Sequence, residues 1–202
     1  MKRLSTHRSI FVMIAGALLG CLAFSTRVNG QIKYQSLGGV KLVIEGTSNI
    51  HDWDMSSDKG TCTAIFEVNN SGIPTGLSTL NFSVPAESLK SEHKAMDKNT
   101  YKALATDKYS SISFVAASAS VRPAGGSNYQ LVAMGKLTIS GVTKDVVLTA
   151  MGAMNPDKSI TYSGSYQLKM TDFNVQPPTI MFGSIKTGNS ITVKFNLVLK
   201  SI

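Results

Sequence analysis

The chain has 202 residues, of which 43% are hydrophobic and 16% are charged, and its formal net charge is +8. This length is enough for one sizeable domain. Four of the basic residues and no acidic residue fall within residues 1–30, so the remaining chain carries a formal charge of +4. That charge, without a cluster of aromatic and basic residues, does not indicate nucleic-acid binding. It is compatible with transient contact with an anionic membrane surface.

Residues 1–30 have the pattern of an export signal, because a basic front is followed by an uncharged apolar run over residues 10–24. The run is shorter than the ~20 residues of a membrane-spanning helix. We therefore predict a signal peptide over residues 1–30, a mature domain over residues 31–202, and a periplasmic or secreted location. An alternative stays open, because Leu18-Leu19-Gly20-Cys21 resembles a lipobox and predicts a lipoprotein anchored at Cys21.

The mature region is dominated by short segments in which apolar and polar residues alternate. In residues 191–200 every second residue is apolar, which places the apolar side chains on one face of a strand. Glycine, asparagine and proline clusters separate most of the segments and favour tight turns between antiparallel neighbours. The predicted strands are Val40–Ile50, Gly60–Val68, Gly76–Pro85, Ser111–Val121, Asn128–Ile139, Thr143–Met154, Ser159–Met170 and Ser190–Leu199. A sheet with one buried face and short hairpins closes into a barrel or folds into a sandwich.

Two segments depart from this alternation. Residues 91–104 are rich in helix formers and predict one short helix, with Ser91 as its N-cap. The apolar residues of this helix form a modest stripe, and its lysines recur every four residues on another face, which is either solvated or turned toward lipid headgroups. The stripe consists of Leu89, Met96, Ala103 and Leu104, and the lysines are Lys90, Lys94, Lys98 and Lys102. Residues 172–189 are too long for a hairpin turn and are predicted to cover one end of the sheet.

Cys62 is the one cysteine left in the predicted mature chain, so no intramolecular disulfide can form. The fold must therefore depend on buried apolar surface. Cys62 alternates with Ala64, Phe66 and Val68, which predicts a buried and unreactive thiol rather than a reactive one.

Several motifs occur in an order that resembles the YceI-like family of exported bacterial proteins. They are Gly46-Thr47-Ser48-Asn49-Ile50-His51-Asp52-Trp53, Phe82-Ser83-Val84-Pro85-Ala86-Glu87-Ser88-Leu89, Met96 with Tyr101-Lys102-Ala103-Leu104, Ile112-Ser113-Phe114, Gly135–Lys144 and Asp172-Phe173-Asn174-Val175. The resemblance covers nearly all of the mature chain. It implies an all-β fold, an eight-stranded antiparallel lipocalin-like barrel with one short helix. It also implies a non-enzymatic protein that binds a polyisoprenoid or related long-chain lipid, such as a quinone, without a cofactor.

The predicted inward face mixes small and large residues, and this mixture bears on whether the barrel is hollow. An eight-stranded barrel is just wide enough to be filled by side chains or to hold one small ligand. A dry void costs stability, which favours an occupant beside the small residues. The candidate ligand-binding residues inside the barrel are Ala64, Phe66, Phe82, Phe114, Ala133, Leu137, Leu148, Tyr162, Gly164, Tyr166 and Phe195. The alternative is a filled structural or interaction barrel, in which bulky neighbours pack over the small positions.

His51-Asp52-Trp53-Asp54 is the one polar cluster with a claim to chemistry. A metal site needs three or four converging ligands, so one histidine with nearby aspartates does not indicate a metal. We expect His51 to cap loop backbone and Trp53 to close one end of the barrel, where both are candidates for headgroup contact. An enzyme that acts on the lipid at the His51 end is the remaining alternative.

Overall fold

Antiparallel strands build almost the whole wall of the molecule. The computed structural model describes residues 30–180 and 182–202, so residues 1–29 of the predicted leader, including Cys21, lie outside the described residues. The described elements are β1 (Gly30–Ser36), β2 (Val40–Ser48), β3 (Asp52–Val68), β4 (Pro74–Pro85), a 3₁₀ helix (Ala86–Ser88), α1 (Lys94–Leu104), β5 (Ser111–Pro123), β6 (Asn128–Ile139), β7 (Val142–Met154), β8 (Ile160–Lys169), a 3₁₀ helix (Met170–Phe173), β9 (Thr179–Ile180) and β10 (Ile185–Ser201).

The strands close into a barrel. Consecutive strands from β2 to β8 pair as antiparallel neighbours, and β10 pairs with both β8 and β2, which completes the ring. β1 lies between β3 and β10, in line with β2, so these two strands share one position in the wall. The predicted eight-stranded antiparallel barrel with one helix is therefore confirmed.

β3 is longer than the predicted strand Gly60–Val68, because Asp58-Lys59-Gly60, a run of residues typical of turns, lies inside the strand. Val40 pairs with Gly60 while Leu42 pairs with Ser57, so one extra residue of β3 forms a bulge within a continuous strand. The bulge brings the chain close to Gly39, where an added Cβ would lie 1.3 Å from the carbonyl oxygen of Asp58. On the N-terminal side of the bulge β3 pairs with β2, and on its C-terminal side β3 pairs with β1.

The helix α1 begins at Lys94 and not at the predicted Ser91. His93 occupies the N-cap position, and the Ser91 backbone N–H and hydroxyl both donate to Oδ1 of Asp97 at 2.7 and 2.8 Å. Because these hydrogen bonds fold residues 91–93 back onto the first turn, the helix cannot extend through them. The main-chain hydrogen bond from Ser91 is the largest cause of the lowered pKa of the Asp97 carboxyl.

The C-terminal end of α1 is hydrogen-bonded to the hairpin between β6 and β7. Ser140 and Gly141 form its two-residue turn with positive φ angles of 49° and 75°, as a type I′ turn requires. The Ser140 hydroxyl donates to the carbonyl oxygen of Leu104 at 2.9 Å. This contact holds the helix across the barrel end at which β3 and β10 begin.

Candidate functional site

The inward faces of the strands enclose a cavity of about 460 Å³. This volume lies within the range of about 300–1,000 Å³ that is typical of small-ligand sites. The inward residues Ile191, Val193, Phe195 and Leu197 of β10 line the cavity over about 20 Å of strand, at a rise of ~3.3 Å per residue. No Asp, Glu, Lys or Arg is among the lining residues that the structure describes. The cavity is therefore suited to an elongated apolar group.

One end of the barrel, the floor, is filled by aromatic side chains. Phe66 is fully buried, and its ring lies edge-on to Tyr34 with centroids 5.4 Å apart and parallel to Tyr162 at 6.0 Å. Ile160 and Leu199 are also fully or almost fully buried at this end. The Tyr162 hydroxyl is buried without a hydrogen-bond partner, and burial raises the pKa of this tyrosine. The cavity ends at this floor.

The opposite end, the mouth, is formed by two hairpin tips that one side chain joins. The Asn49 amide nitrogen donates to the carbonyl oxygen of Ser184 at 2.9 Å, and its oxygen accepts from the Lys186 N–H at 2.8 Å. These bonds hold the turn between β2 and β3 against the hairpin of β9 and β10. Among the residues of the two tips that the structure describes, Ile50, Ile180 and Phe182 are exposed apolar side chains. Ile50 and Ile180 also line the cavity, so apolar surface continues from the interior to the rim.

α1 forms one side of the mouth, and its two faces differ as predicted. Met96, Ala103 and Leu104 line the cavity, and so does Leu89, which precedes the helix. Lys94, Lys98 and Lys102 are exposed on the outer face, and Lys90, which also precedes the helix, is exposed. The polar lining residues Asn99 and Thr100 lie on this helix, so polar groups gather near the mouth while the body of the cavity is apolar.

His51 and Trp53 lie near the mouth with partners in the main chain. Nδ1 of His51 lies 2.7 Å from the carbonyl oxygen of Asp52, and the Trp53 indole N–H donates to the carbonyl oxygen of Thr47 at 3.0 Å. The Trp53 ring covers its cross-strand partner Gly46, where an added Cβ would lie 2.2 Å from the ring. Among the described residues, no group of three or more His, Cys, Asp or Glu side chains converges to hold a metal ion.

The family follows from a comparison of sequences. A model of the YceI-like domain family matches residues 25–199. The chain belongs to the YceI-like family. No curated protein matches this YceI-like chain.

Solved structures share the fold of this YceI-like chain at low sequence identity. BcnA of Burkholderia cenocepacia has a TM-score of 0.61 and 19% identity, covering 79% of this chain and 95% of its own. A polyisoprenoid binding domain from Saccharophagus degradans has a TM-score of 0.65 and 11% identity, covering 85% and 99%. A YceI protein of Campylobacter jejuni has a TM-score of 0.50 and 20% identity, covering 71% and 84%. At these identities the likeness concerns the fold.

The YceI-like cavity includes most of the residues proposed from the sequence. Those that line it are His51, Trp53, Phe66, Phe82, Phe114, Ala133, Leu137, Leu148, Tyr162, Tyr166 and Phe195. Ala64 and Gly164 do not line it. Ala64 is buried at the floor opposite Tyr34, and the Phe195 ring covers Gly164, where an added Cβ would lie 2.5 Å from it. The expectation that small residues leave space is therefore wrong at these two positions.

Several lining residues were missed because they lie outside regular strands. Phe173 and Val175 are buried in the segment that follows β8, and with Pro178 they line the cavity. This location agrees with the prediction that residues 172–189 cover one end of the sheet. The alternation used to find inward residues has no meaning in an irregular segment, although Phe173 and Val175 were part of the motif that carried the family resemblance.

Cys62 is buried, and burial raises the pKa of its thiol to about 12. The predicted burial is confirmed. No helix within the described part of the chain combines the length and the apolar character needed to cross a membrane.

Proposed function

We propose that this YceI-like protein is an exported, non-enzymatic protein that encloses the apolar chain of an isoprenoid lipid and so carries or sequesters it. The observation that carries the proposal is the cavity of about 460 Å³, which has an apolar body, a filled floor and polar groups near its mouth. The Saccharophagus degradans relative, described as a polyisoprenoid binding domain, supports the isoprenoid class. A polyprenyl quinone fits this class, with its ring near Ser48, His51 and Thr187 at the mouth.

The energetics favour recognition of the tail over recognition of the headgroup. Each buried methylene contributes roughly 0.8 kcal/mol, so one five-carbon unit contributes about 3–4 kcal/mol before ordering losses. A hydrogen bond at the mouth contributes only about 1 kcal/mol net. The lining therefore sets the affinity, and the mouth residues set the orientation of the bound lipid.

The surroundings of His51 support a non-enzymatic function. The imidazole Nδ1 lies 2.7 Å from the carbonyl oxygen of Asp52, and the Ser48 hydroxyl accepts from the main-chain N–H of His51 at 3.2 Å. A general base needs its proton partner within hydrogen-bonding reach and an orienting group behind it. The arrangement around His51 is that of a capped turn.

The export of the protein and its contact with membranes belong to the same proposal. Export rests on the signal-like pattern of residues 1–30. Transient membrane contact rests on Ile50, Ile180 and Phe182 at the rim, beside Lys186.

We expect the double substitution Ile50→Asp and Phe182→Asp to reduce co-sedimentation with anionic vesicles at least threefold. Leu37→Asp is the matched control, because Leu37 is 49% exposed in the link between β1 and β2, away from the mouth.

Lipid extraction followed by mass spectrometry tests the proposed function. The protein is purified from its native host, and the extract is compared with that of protein stripped of lipid and incubated with a polyprenyl quinone. We expect an isoprenoid lipid in both samples, close to one per chain. Recovery of only solvent and buffer components, with no uptake of the added quinone, would contradict the proposal.

A further inference from the structure

The barrel wall is incomplete between β7 and β8. These strands pair only where Ala150–Met154 faces Ile160–Gly164, although β7 begins at Val142 and β8 continues to Lys169. On their other edges, β7 is paired with β6 from Val142 to Ala153, and β8 is paired with β10 along its whole length. The two facing edges, residues 142–149 and 165–169, therefore have no strand ladder between them. We call this part of the wall the window.

The window has closed borders below and above. Below it, the last paired residues are Ala150 and Gly164, and an added Cβ on Gly164 would lie 2.6 Å from the carbonyl oxygen of Thr149. Above it, the 3₁₀ helix Met170–Phe173 packs against both β7 and β8. The window is thus a section of the barrel wall without a strand ladder, separate from the mouth between the hairpin tips.

Tyr166 lies at the window and borders the spaces on both sides of the wall. It lines the interior cavity, and it also lines a groove on the outer surface together with Val147 and Met134. Its side chain is half-buried. Tyr166 is the residue that the two linings share, so it lies between the cavity and the outer groove.

Apolar side chains form a patch on the outer surface beside the window, next to the exposed ion pair of Lys136 and Asp145, whereas the outward positions of β8 are all polar. Val115, Met134 and Val147 are 48%, 64% and 54% exposed, and Met134 pairs directly with Val147 across β6 and β7. The outward residues of β8 are Ser163, Ser165, Gln167 and Lys169. A hydrocarbon chain that leaves the cavity through the window therefore meets apolar surface outside it.

We propose that the window is a side entrance through which an isoprenoid chain passes into and out of the cavity, with the Tyr166 ring as its gate. This inference rests on the proposed function. Strand separation elsewhere in the wall breaks the hydrogen bonds of a ladder, whereas the window opens without breaking any between β7 and β8. Sideways passage also lets a long chain enter along its length, without threading its end through the mouth.

A cross-link across the window tests this route. Thr149→Cys with Ser165→Cys, in a Cys62→Ala background, places two outward thiols at the first register position beyond the ladder. Met151→Cys with Ser163→Cys is the matched control, because these outward residues pair directly in the closed part of the same two strands. Each pair is bridged by dibromobimane or as a disulfide, and the bridge is verified by mass.

The measured quantity is the rate at which a polyprenyl quinone moves between phosphatidylcholine vesicles and the protein. We expect the window bridge to slow uptake and release at least tenfold with the amount bound at equilibrium unchanged, and thiol reduction of the disulfide form to restore the rate. The control bridge is expected to leave the rate unchanged. Equal rates in the two bridged proteins, with normal uptake by the wild type, would overturn the window and leave the proposed function standing. A wild type that takes up no quinone would overturn both.

Removal of the gate provides a second measurement that needs no cross-link. We expect Tyr166→Ala to speed quinone release at least threefold relative to the wild type. Tyr34→Ala, which removes a floor ring that does not line the cavity, is expected to alter release far less than Tyr166→Ala. A release rate unchanged by Tyr166→Ala would contradict the role of this ring as a gate.

Discussion

The two ends of this barrel share one alternation of inward and outward residues, yet one end is filled and the other is hollow. At the floor, Tyr34, Phe66 and Tyr162 pack ring against ring. Higher in the barrel, Ala133 and Ala150 lie open on the cavity wall. Small residues occur in both regions, but at Gly152 and Gly164 the rings of Tyr162 and Phe195 cover the space that a side chain would occupy. A small inward residue therefore makes space only where no neighbouring ring covers it.

The largest expected effect distinguishes the floor from the wall in stability. Phe66→Ala removes a fully buried ring from tight packing and is expected to lower the free energy of unfolding by about 3–4 kcal/mol. Phe82→Ala, at a half-buried ring on the cavity wall, is the matched comparison and is expected to cost about 1–2 kcal/mol. Denaturant unfolding of lipid-free protein measures both values. Equal losses would mean that the wall is packed as tightly as the floor.

Alkaline pH tests whether water reaches the buried thiol of Cys62. The pKa of this buried thiol is about 12 in the folded protein and 9.0 when exposed, so the unfolded chain loses the proton first as the pH rises. Stability is therefore fully present below pH 9 and falls above it, by about 2 kcal/mol at about pH 10.5. The measurement is the free energy of unfolding against pH for the wild type and Cys62→Ala, which lacks this contribution. Parallel curves for the two proteins would show that the thiol reaches water.

Filling the hollow region is expected to remove lipid binding while the fold is kept. Ala133→Phe places a ring in the cavity, and we expect at least tenfold less bound isoprenoid per folded chain, or about 1.4 kcal/mol of affinity. Val132→Phe is the matched control, because Val132 is the adjacent residue of β6 and does not line the cavity. Quantitative lipid extraction after incubation with a polyprenyl quinone measures the difference. Normal lipid uptake together with lowered stability in Ala133→Phe would favour the filled barrel.

The smallest expected effect concerns the Tyr162 hydroxyl at the boundary of the two regions. Because this buried hydroxyl has no hydrogen-bond partner, Tyr162→Phe is expected to leave stability unchanged or to raise it by up to about 1 kcal/mol. Thermal and denaturant unfolding of the two proteins measures the change. A clear loss of stability would show that the hydroxyl has a bonding partner in solution.

Alternating strands and short hairpin turns predicted an antiparallel sheet that forms a barrel or a sandwich, and the resemblance to the YceI-like family supplied the closed eight-stranded barrel. The sequence did not predict the continuous strand at Asp58-Lys59-Gly60, because residues that favour turns can also form a bulge. Here β3 continues through them, since it pairs with β2 before the bulge and with β1, which lies in line with β2, after it. The sequence also provided no prediction of β1, a short strand that follows the predicted leader and in which Tyr34 is buried against Phe66, a residue distant in the chain.

The candidate site was predictable to the extent that strand faces were predictable. Inward residues such as Ala133 and Phe114 follow from alternation, whereas the packing of a ring over Gly164 depends on the register between β8 and β10. The window between β7 and β8 left no mark in the sequence, because both strands alternate normally through it. Local pattern determines which way a side chain points, and pairing between distant segments determines what it meets.

A crystal structure of the protein after incubation with a polyprenyl quinone tests the central claim most directly. The account predicts continuous elongated density from the rim at Ile50 to the floor at Tyr162, with the lining side chains near their positions here. An interior closed by its own side chains, with no density along the barrel axis and no tunnel, would contradict it.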